Sequence, residues 1–387
     1  MEGINKKIFY LTTTNINSST ATANRAVALL NSLVASNFEV TVIHATLNNL
    51  DNHPERDDAK FSKIFFASKR KLKFLNLLLL ISIFFKILEV IRKNKGVIIY
   101  SYGFHILDIS LSSISKLLFG NPVIREFTEH PSYNNKISFI TTIKTKIAFY
   151  FSNYIFVISN NLQEFVTSYS NKPVSILNMV VDTERFSIKT QHPEDIITYC
   201  GTIESEKDGI KILFETFEIF KRNVNFKDYK LQIIADTRNK VKYDDLVKLA
   251  TNLKIIDSII FTGKVGGAEI PKYLSKSKLL VLSRENNQQA KYGFPTKLGE
   301  YIASGVPTLC TDVGNISEFI SDELNGFIVQ PNNPKIFANK MISIFDNYEK
   351  SIKIAKKGMD LLIVDFNPKE QVKKIIYSID QIEPKWH

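Results

Sequence analysis

The sequence predicts an α/β protein of two doubly wound parallel-sheet domains. Three observations carry this. The chain has 387 residues, and domains usually span about 100–200. In both halves, short apolar runs alternate with helix-like stretches, which is the rhythm of βαβ units and a parallel sheet. A polar stretch without periodicity separates the halves. The resulting boundaries are 1–182 for the first domain, 183–195 for the linker and 196–365 for the second domain. A C-terminal helix, 366–387, is expected to pack back on the first domain.

In the first half, Lys7–Leu11, Glu39–His44, Val97–Tyr100, Pro122–Glu126 and Tyr154–Ile158 read as buried strands. Ala21–Ser36 reads as a helix, with Val27, Leu30, Leu33 and Val34 recurring at helical spacing. In the second half the strands are Ile197–Cys200, Tyr229–Ala235, Ser258–Thr262, Leu279–Ser283, Thr308–Thr311 and Gly326–Val329. Helices are expected near Gly209–Asn223, Tyr243–Leu253, Glu269–Ser275, Thr296–Ala303, Asn333–Asn347 and Pro368–Ser378. Two such domains would face each other across a cleft lined by the carboxyl ends of their strands, where open α/β sheets bind ligands.

Composition excludes several classes. The chain is 44% hydrophobic and 23% charged, an ordinary globular balance rather than that of a disordered or fibrous protein. Its two cysteines, Cys200 and Cys310, form no CxxC pair, so neither a disulfide framework nor a zinc ribbon organises it. They read as small apolar residues on core strands, as expected in a reducing cytoplasm. No secretory signal is visible at MEGINKKIFYLTTT. The longest apolar stretch, Phe74–Ile91, is interrupted by Ser82, Lys86 and Glu89, with Lys93 following, all on one helical stripe. It reads as a mostly buried helix with one wet stripe. The alternative is a helix lying on a bilayer surface. The net charge of +11 favours anionic partners. The densest basic cluster, Lys69, Arg70, Lys71 and Lys73, precedes that helix, so 69–93 is a candidate contact with an anionic membrane. A solvated loop is the plain alternative.

Familiar catalytic signatures are missing. The sequence holds no GxxxxGK[ST], HExxH, GxSxG, GxGxxG or Asp-x-Asp, and its histidines show no ligand spacing. No metal and no cofactor are expected. The densest functional stretch runs from Phe261 to Val329. Gly263, Gly266 and Gly267 punctuate a turn after a strand, with Lys264 and Val265 between them, Arg284 follows another strand end, and YGFPTK leads into a helix carrying Lys297 and Glu300. Pro295 and Thr296 suit the start of that helix. These residue types suit a diphosphate. Helix N-terminal amides bind phosphate, Lys297 adds a cation, Arg284 can fork onto phosphate oxygens, and Glu300 can accept from a ribose diol. Each residue alone reads as a surface charge. Together, at one strand-to-helix corner, they read as a binding site.

The same stretch resembles family 4 of the retaining glycosyltransferases, which have the GT-B fold of two Rossmann-like domains. Gly293 and Phe294 fall on the family's G-F pair and Glu300 on its second glutamate, with Ala303, Gly305 and Pro307 in step. Asp312–Gly314 with Glu318, and Asn325–Gly326, match two further segments. Upstream, Ile176–Phe186 resembles the family's linker and Tyr199–Gly209 its phosphate-binding loop. The resemblance spans about 176–335. The chain departs from the pattern at Tyr292, where the family's first glutamate contacts the sugar, and at Thr202, where an arginine is common. The P-x-K at Pro295–Lys297 looks like a variant branch, in which Lys297 and Arg284 supply the missing charge.

The resemblance implies a transferase that moves a sugar from a nucleotide-diphosphate sugar to an acceptor hydroxyl with retention. The expected acceptor is a glycan or a lipid-linked sugar in cell-surface polysaccharide or glycolipid synthesis. The first domain would bind the acceptor and the second the nucleotide sugar. Lys207, Arg284 and Lys297 would meet the phosphates; Gly201, Thr202, Gly263–Val265 and Tyr292–Thr296, with Glu300, would bind the donor. Glu129 and His130, after the Pro122–Glu126 strand, would face the sugar. A cytoplasmic enzyme, peripheral on the inner face of the plasma membrane, is expected. Alternatives are a non-hydrolysing sugar-nucleotide epimerase, an inactive scaffold and a nucleic-acid-binding protein. Specific nucleic-acid binding is not expected, because the cations cluster at phosphate-loop positions and before one apolar helix rather than interleaving with aromatics.

Overall fold

The computed structural model describes residues 6–18, 20–46, 58–67, 73–131, 137–187, 193–203 and 208–382. It divides into two compact units: Met1–Val180 with Pro368–His387, and Val181–Asn367.

The first unit is built on strands β1 (Lys7–Thr12), β2 (Glu39–Thr46), β3 (Ser62–Ala67), β4 (Ile98–Tyr102), β5 (Val123–Phe127), β6 (Tyr154–Val157) and β7 (Val174–Ile176). They form one sheet in the order β3-β2-β1-β4-β5-β6-β7, and every pair is parallel. The helices are α1 (Ala21–Ala35), α2 (Lys73–Lys93), α3 (Ile106–Phe119), α4 (Phe139–Tyr150) and α5 (Asn160–Tyr169). Alternation on β1 shows how the layers form. Ile8 and Tyr10 face the α1 side, while Phe9 and Leu11 face the α2 and α3 side. Local chemistry starts the helices: the Thr20 hydroxyl accepts from the Ala23 amide, and Ser138 caps α4 by accepting from Thr141.

The second unit contains β8 (Ile196–Cys200), β9 (Lys230–Ile234), β10 (Ile259–Gly263), β11 (Leu279–Leu282), β12 (Thr308–Thr311) and β13 (Phe327–Val329). Its sheet runs β10-β9-β8-β11-β12-β13, again all parallel. Around it pack α6 (Ile210–Lys221), α7 (Lys240–Asn252), α8 (Ile270–Ser275), α9 (Gln288–Tyr292), α10 (Lys297–Ser304), α11 (Pro334–Asp346) and α12 (Tyr348–Gly358). The chain then returns to the first unit. There α13 (Pro368–Ile382) packs against α1, burying Val372, Ile375, Ile379 and Ile382.

Three details differ from the sequence expectations. The segment expected as a linker begins inside the second unit, where Thr183–Phe186 forms a 3-10 turn with Phe186 buried; 188–192 lies outside the described residues. Strands β3 and β7 were not anticipated. Both lie at sheet edges and are only half-buried: β7 has three residues, and β3 sets its apolar Ile64–Phe66 run at such an edge. The helix expected to be mostly buried is not. From Leu78 onward α2 buries only Ile83, Ile87 and Ile91, one row at i, i+4 spacing, while Leu78, Ile81 and Phe85 are exposed. A helix laid on a sheet covers one stripe of itself, and an all-apolar sequence does not say which of its stripes finds a partner. Of the basic cluster before it, Lys69, Arg70 and Lys71 lie outside the described residues. No helix among the described residues is long and apolar enough to cross a membrane.

At the start of α3, Asp108 is only 2% exposed and its Oδ2 has no hydrogen-bond partner among the described residues. Burial pushes its carboxyl up to about 7, against the opposing pull of Arg125 and a hydrogen bond with Thr13. An acid whose folded pKa is raised holds its proton in the native state after the unfolded chain has lost it. Stability therefore falls as pH rises from about 4 to about 7 and then levels, by at most roughly 4 kcal/mol. Asp108→Asn is expected to flatten that fall and to be more stable than the parent at neutral pH. Denaturant midpoints at both ends of the window check this; parallel profiles for the two proteins would refute it.

Candidate active site

The predicted site residues that belong to the second unit and are described lie around one corner of it. In its sheet the strand order reverses between β8 and β11, the topological switch point where doubly wound sheets take ligands beyond their carboxyl ends. Gly201 and Thr202 follow β8, and Ser283 and Arg284 follow β11. The N-termini of α6 and α10 open at the same corner. Gly209, the N-cap of α6, and Thr296, the N-cap of α10, make no side-chain capping bond, so both positive helix ends lack a capping group. Thr296 is the cap, and Pro295 lies one residue outside the helix with its carbonyl accepting from the Leu298 amide at 2.9 Å.

The central feature is a buried charged triad. Arg185 Nη1 donates to Glu300 Oε1 at 3.2 Å, and Lys297 Nζ donates to Glu300 Oε2 at 2.8 Å. Arg185 Nη2 also donates to the Gly267 carbonyl at 2.9 Å, which ties the loop beginning Gly263–Val265 to the same carboxylate. Burial alone would raise the Glu300 carboxyl, but Lys297 and Arg185 more than reverse this and hold it below the ordinary range. Burial would lower the Lys297 ammonium; Cys200 and Glu300 overcome it, and the net shift is upward. The Cys200 thiol is itself pushed up by burial and stays neutral near pH 7, so Glu300 is the operative counter-charge. Two cations and one anion leave this triad with one net positive charge.

Arg284 is 7% exposed. Its Nε lies 3.4 Å from Asp208 Oδ1, and its carbonyl accepts from Thr311 Oγ1 at 2.7 Å. Its Nη1 is buried and has no hydrogen-bond partner among the described residues. A buried guanidinium nitrogen in that state is a standing donor for an anion. The arrangement can therefore bind a polyanion through one arginine fork, one lysine and two helix ends.

Other predicted residues sit around this corner in different ways. Thr202 presents its carbonyl to the Tyr199 hydroxyl at 3.0 Å. Gly263 closes β10, followed by exposed Lys264 and half-buried Val265. Tyr292 and Gly293 end α9, half-buried. The Phe294 ring is packed against Phe319 and Phe366, so it serves as a wedge in the core and offers no ring face to a ligand. Gly314 has φ +60°, and a Cβ there would lie 2.6 Å from the Ala290 carbonyl oxygen and 2.8 Å from that of Gly293. That close approach fixes the loop before α10. Lys207 lies outside the described residues. Glu129 and His130 belong to the first unit, just beyond β5; Glu129 is exposed and the His130 ring meets Phe165 edge-on at 4.6 Å.

Sequence reasoning missed Arg185 and Asp208. Arg185 stood in a stretch read as a polar linker, and nothing local marks it as the partner of a residue so distant in sequence. Asp208 lies inside the Tyr199–Gly209 loop, where the phosphate contact was expected of Lys207 instead.

Two parallel-sheet α/β units of this kind define the GT-B fold, and residues 180–360 match the family model of the glycosyl transferases group 1. The likeness in structure shows the GT-B fold, and the family match is confined to residues 180–360, all but the first of them in the second unit. Among relatives, the chain is similar to the uncharacterized glycosyltransferase MJ1607 of Methanocaldococcus jannaschii, 24% identical over 230 residues, 54% of this chain and 56% of that one. Among solved structures it resembles sucrose-phosphate synthase from Thermosynechococcus elongatus, with a TM-score of 0.77, 13% identity and coverage of 97% and 99%. It also resembles Anabaena Alr3699/HepE in complex with UDP and glucose, with a TM-score of 0.73, 14% identity and coverage of 97% and 99%. The chain spans 35%, 56% and 47% of the lengths of three curated relatives it matches.

Proposed function

We propose that the chain transfers a hexosyl group from a nucleotide-diphosphate sugar to an acceptor hydroxyl, with retention of configuration. The observation that carries this reading is Arg284 Nη1, buried and without a hydrogen-bond partner among the described residues, beside two uncapped helix N-termini at the β8/β11 switch point. The diphosphate sits there. As the bond from the anomeric carbon to the phosphate oxygen breaks, negative charge grows on the leaving phosphate. Arg284, Lys297 and the helix amides stabilise it, without a divalent ion. The acceptor approaches the same face of the sugar, and the leaving phosphate oxygen takes its proton, so no protein nucleophile is required. Glu300 anchors both cations and has carboxylate lone pairs left for the ribose. Lys207, in the loop after β8, adds a third cation for the phosphates. The acceptor is a glycan or a lipid-linked sugar of the cell surface, and the enzyme works from the cytoplasmic side. The likeness to a structure binding UDP and glucose supports the donor class.

A thermal-shift panel of UDP-, GDP-, ADP- and TDP-sugars tests the reading. At a hundredfold excess over its Kd, the true donor adds about 2.7 kcal/mol of stability by mass action. A flat response across the panel would sink the proposal. With the donor in hand, Lys297→Ala and Arg284→Ala are each expected to lower turnover by roughly 100-fold, since one preorganised donor contributes about 3 kcal/mol. Unchanged kinetics in both would remove the site.

A further inference from the structure

Three neighbouring helices of the first unit carry apolar side chains that are exposed among the described residues. Helices α2, α3 and α4 pack side by side over one face of the sheet. Leu78, Ile81 and Phe85 on α2 and Leu117 and Leu118 on α3 are exposed. On α4 the pattern is most regular. Thr145, Ala148 and Phe149 turn inward, while Phe139 and Ile140 are 79% and 77% exposed, and Ile143, Ile147 and Tyr150 are also exposed. At 3.6 residues per turn those five side chains fall within an arc of about 100°. Lys146 stands at one edge of that arc and Lys144 at the other, and the helix FITTIKTKIAFY contains no acidic residue.

A second feature adjoins this stripe. Between the C-terminal turns of α4 and α5 lies an open groove of about 600 Å³, lined by Lys146, Ile147, Tyr150, Tyr169 and Lys172 among others. It brings two ammonium groups next to aromatic and branched apolar surface, with the Lys172 Nζ 6.0 Å from the Tyr150 ring centroid.

We propose that the outer face of α4, with the Lys146/Lys172 groove, is an interfacial binding surface for a membrane rich in anionic lipid. The stripe enters the headgroup–acyl boundary, its flanking lysines reach up along their stems, and the groove receives headgroup phosphate. The charge pattern favours a lipid surface over a second copy of the chain, because two copies meeting through this face would set lysine against lysine. The surface does not depend on the transfer reaction, and it moves the expected membrane contact from 69–93 to a helix that the sequence did not single out.

Co-sedimentation of the full chain with vesicles, without any donor sugar, tests this. The protein is expected to pellet with phosphatidylcholine vesicles containing phosphatidylglycerol, and to stay in solution with phosphatidylcholine alone or in high salt. Phe139→Ser with Ile140→Ser is expected to weaken partitioning at least about tenfold. Lys146→Glu with Lys172→Glu should weaken it by roughly fivefold or more per lysine. Both pairs should keep the parental unfolding midpoint, since none of the four side chains is buried. Equal binding to both vesicle types, or variants that bind like the parent, would overturn the proposal. So would a dimer in light scattering that either double variant dissolves, because the face would then be a self-interface.

Discussion

Glu300→Ala is expected to destabilise the second unit by about 3 kcal/mol, the lower end of what breaking a buried ion pair does. The carboxylate is 3% exposed and is shared by Arg185 and Lys297, whose side chains are 16% and 19% exposed. Removing it leaves two cations facing each other with little water. Lys297→Ala is expected to change stability far less, because Glu300 keeps Arg185. That asymmetry makes Lys297 the cleaner kinetic probe and Glu300 the cleaner structural one. Chemical denaturation of the three proteins measures it; a Glu300→Ala midpoint equal to that of Lys297→Ala would refute the shared-carboxylate geometry. The pH dependence follows from the same contacts. The folded pKa of Glu300 is depressed. Its contribution is therefore fully present above the unfolded value of about 4.3 and is lost as pH falls through the lower folded value. Glu300→Gln should remove that acid limb while filling the same space.

Gly209→Ala is expected to be as damaging, for steric rather than electrostatic reasons. Gly209 has φ +62°, and a Cβ there would lie 1.9 Å from the Ser283 carbonyl oxygen. The left-handed conformation costs a non-glycine residue about 1–2 kcal/mol. Moving backbone away from such an overlap adds about 1–3 kcal/mol. The displaced atoms are the start of α6 and the chain leading into Arg284, so anion binding should fall together with stability. Gly266→Ala serves as the contrast. Its Cβ would meet the Glu269 carboxylate at an ordinary 3.5 Å, and its effect should stay within about 0.5 kcal/mol. Similar losses at both glycines would show that the crowding at Gly209 is not the cause.

Much of this corner was legible along the chain. Short continuous apolar runs between helical stretches marked most of the strands of the two sheets, because strands buried on both faces need unbroken Val, Ile, Leu and Phe. The Gly-Phe-Pro-Thr-Lys run and Glu300 three residues after Lys297 announced a helix start with charge on one face, and α10 begins there. The edge strands β3 and β7 were not legible, since short edges are only half-buried. Phe294 was legible as a member of the motif but not as a core wedge. Its neighbours Phe319 and Phe366 arrive from later in the chain.

The sequence by itself determined two α/β units, the order of most of their elements, the strand ends that carry Gly201 and Arg284, and the helix start that carries Lys297. It could do so because backbone period and helix-start chemistry are local properties. Only the tertiary structure decided that Arg185 joins Glu300, that Lys297 is held by a counter-charge, that Arg284 Nη1 finds no partner among the described residues, and that α4 turns its apolar stripe outward. Each of these depends on which groups meet across long separations and on which surfaces remain uncovered once every helix has found the sheet. Pattern along a chain records what a residue can bury, and packing alone settles what it does bury.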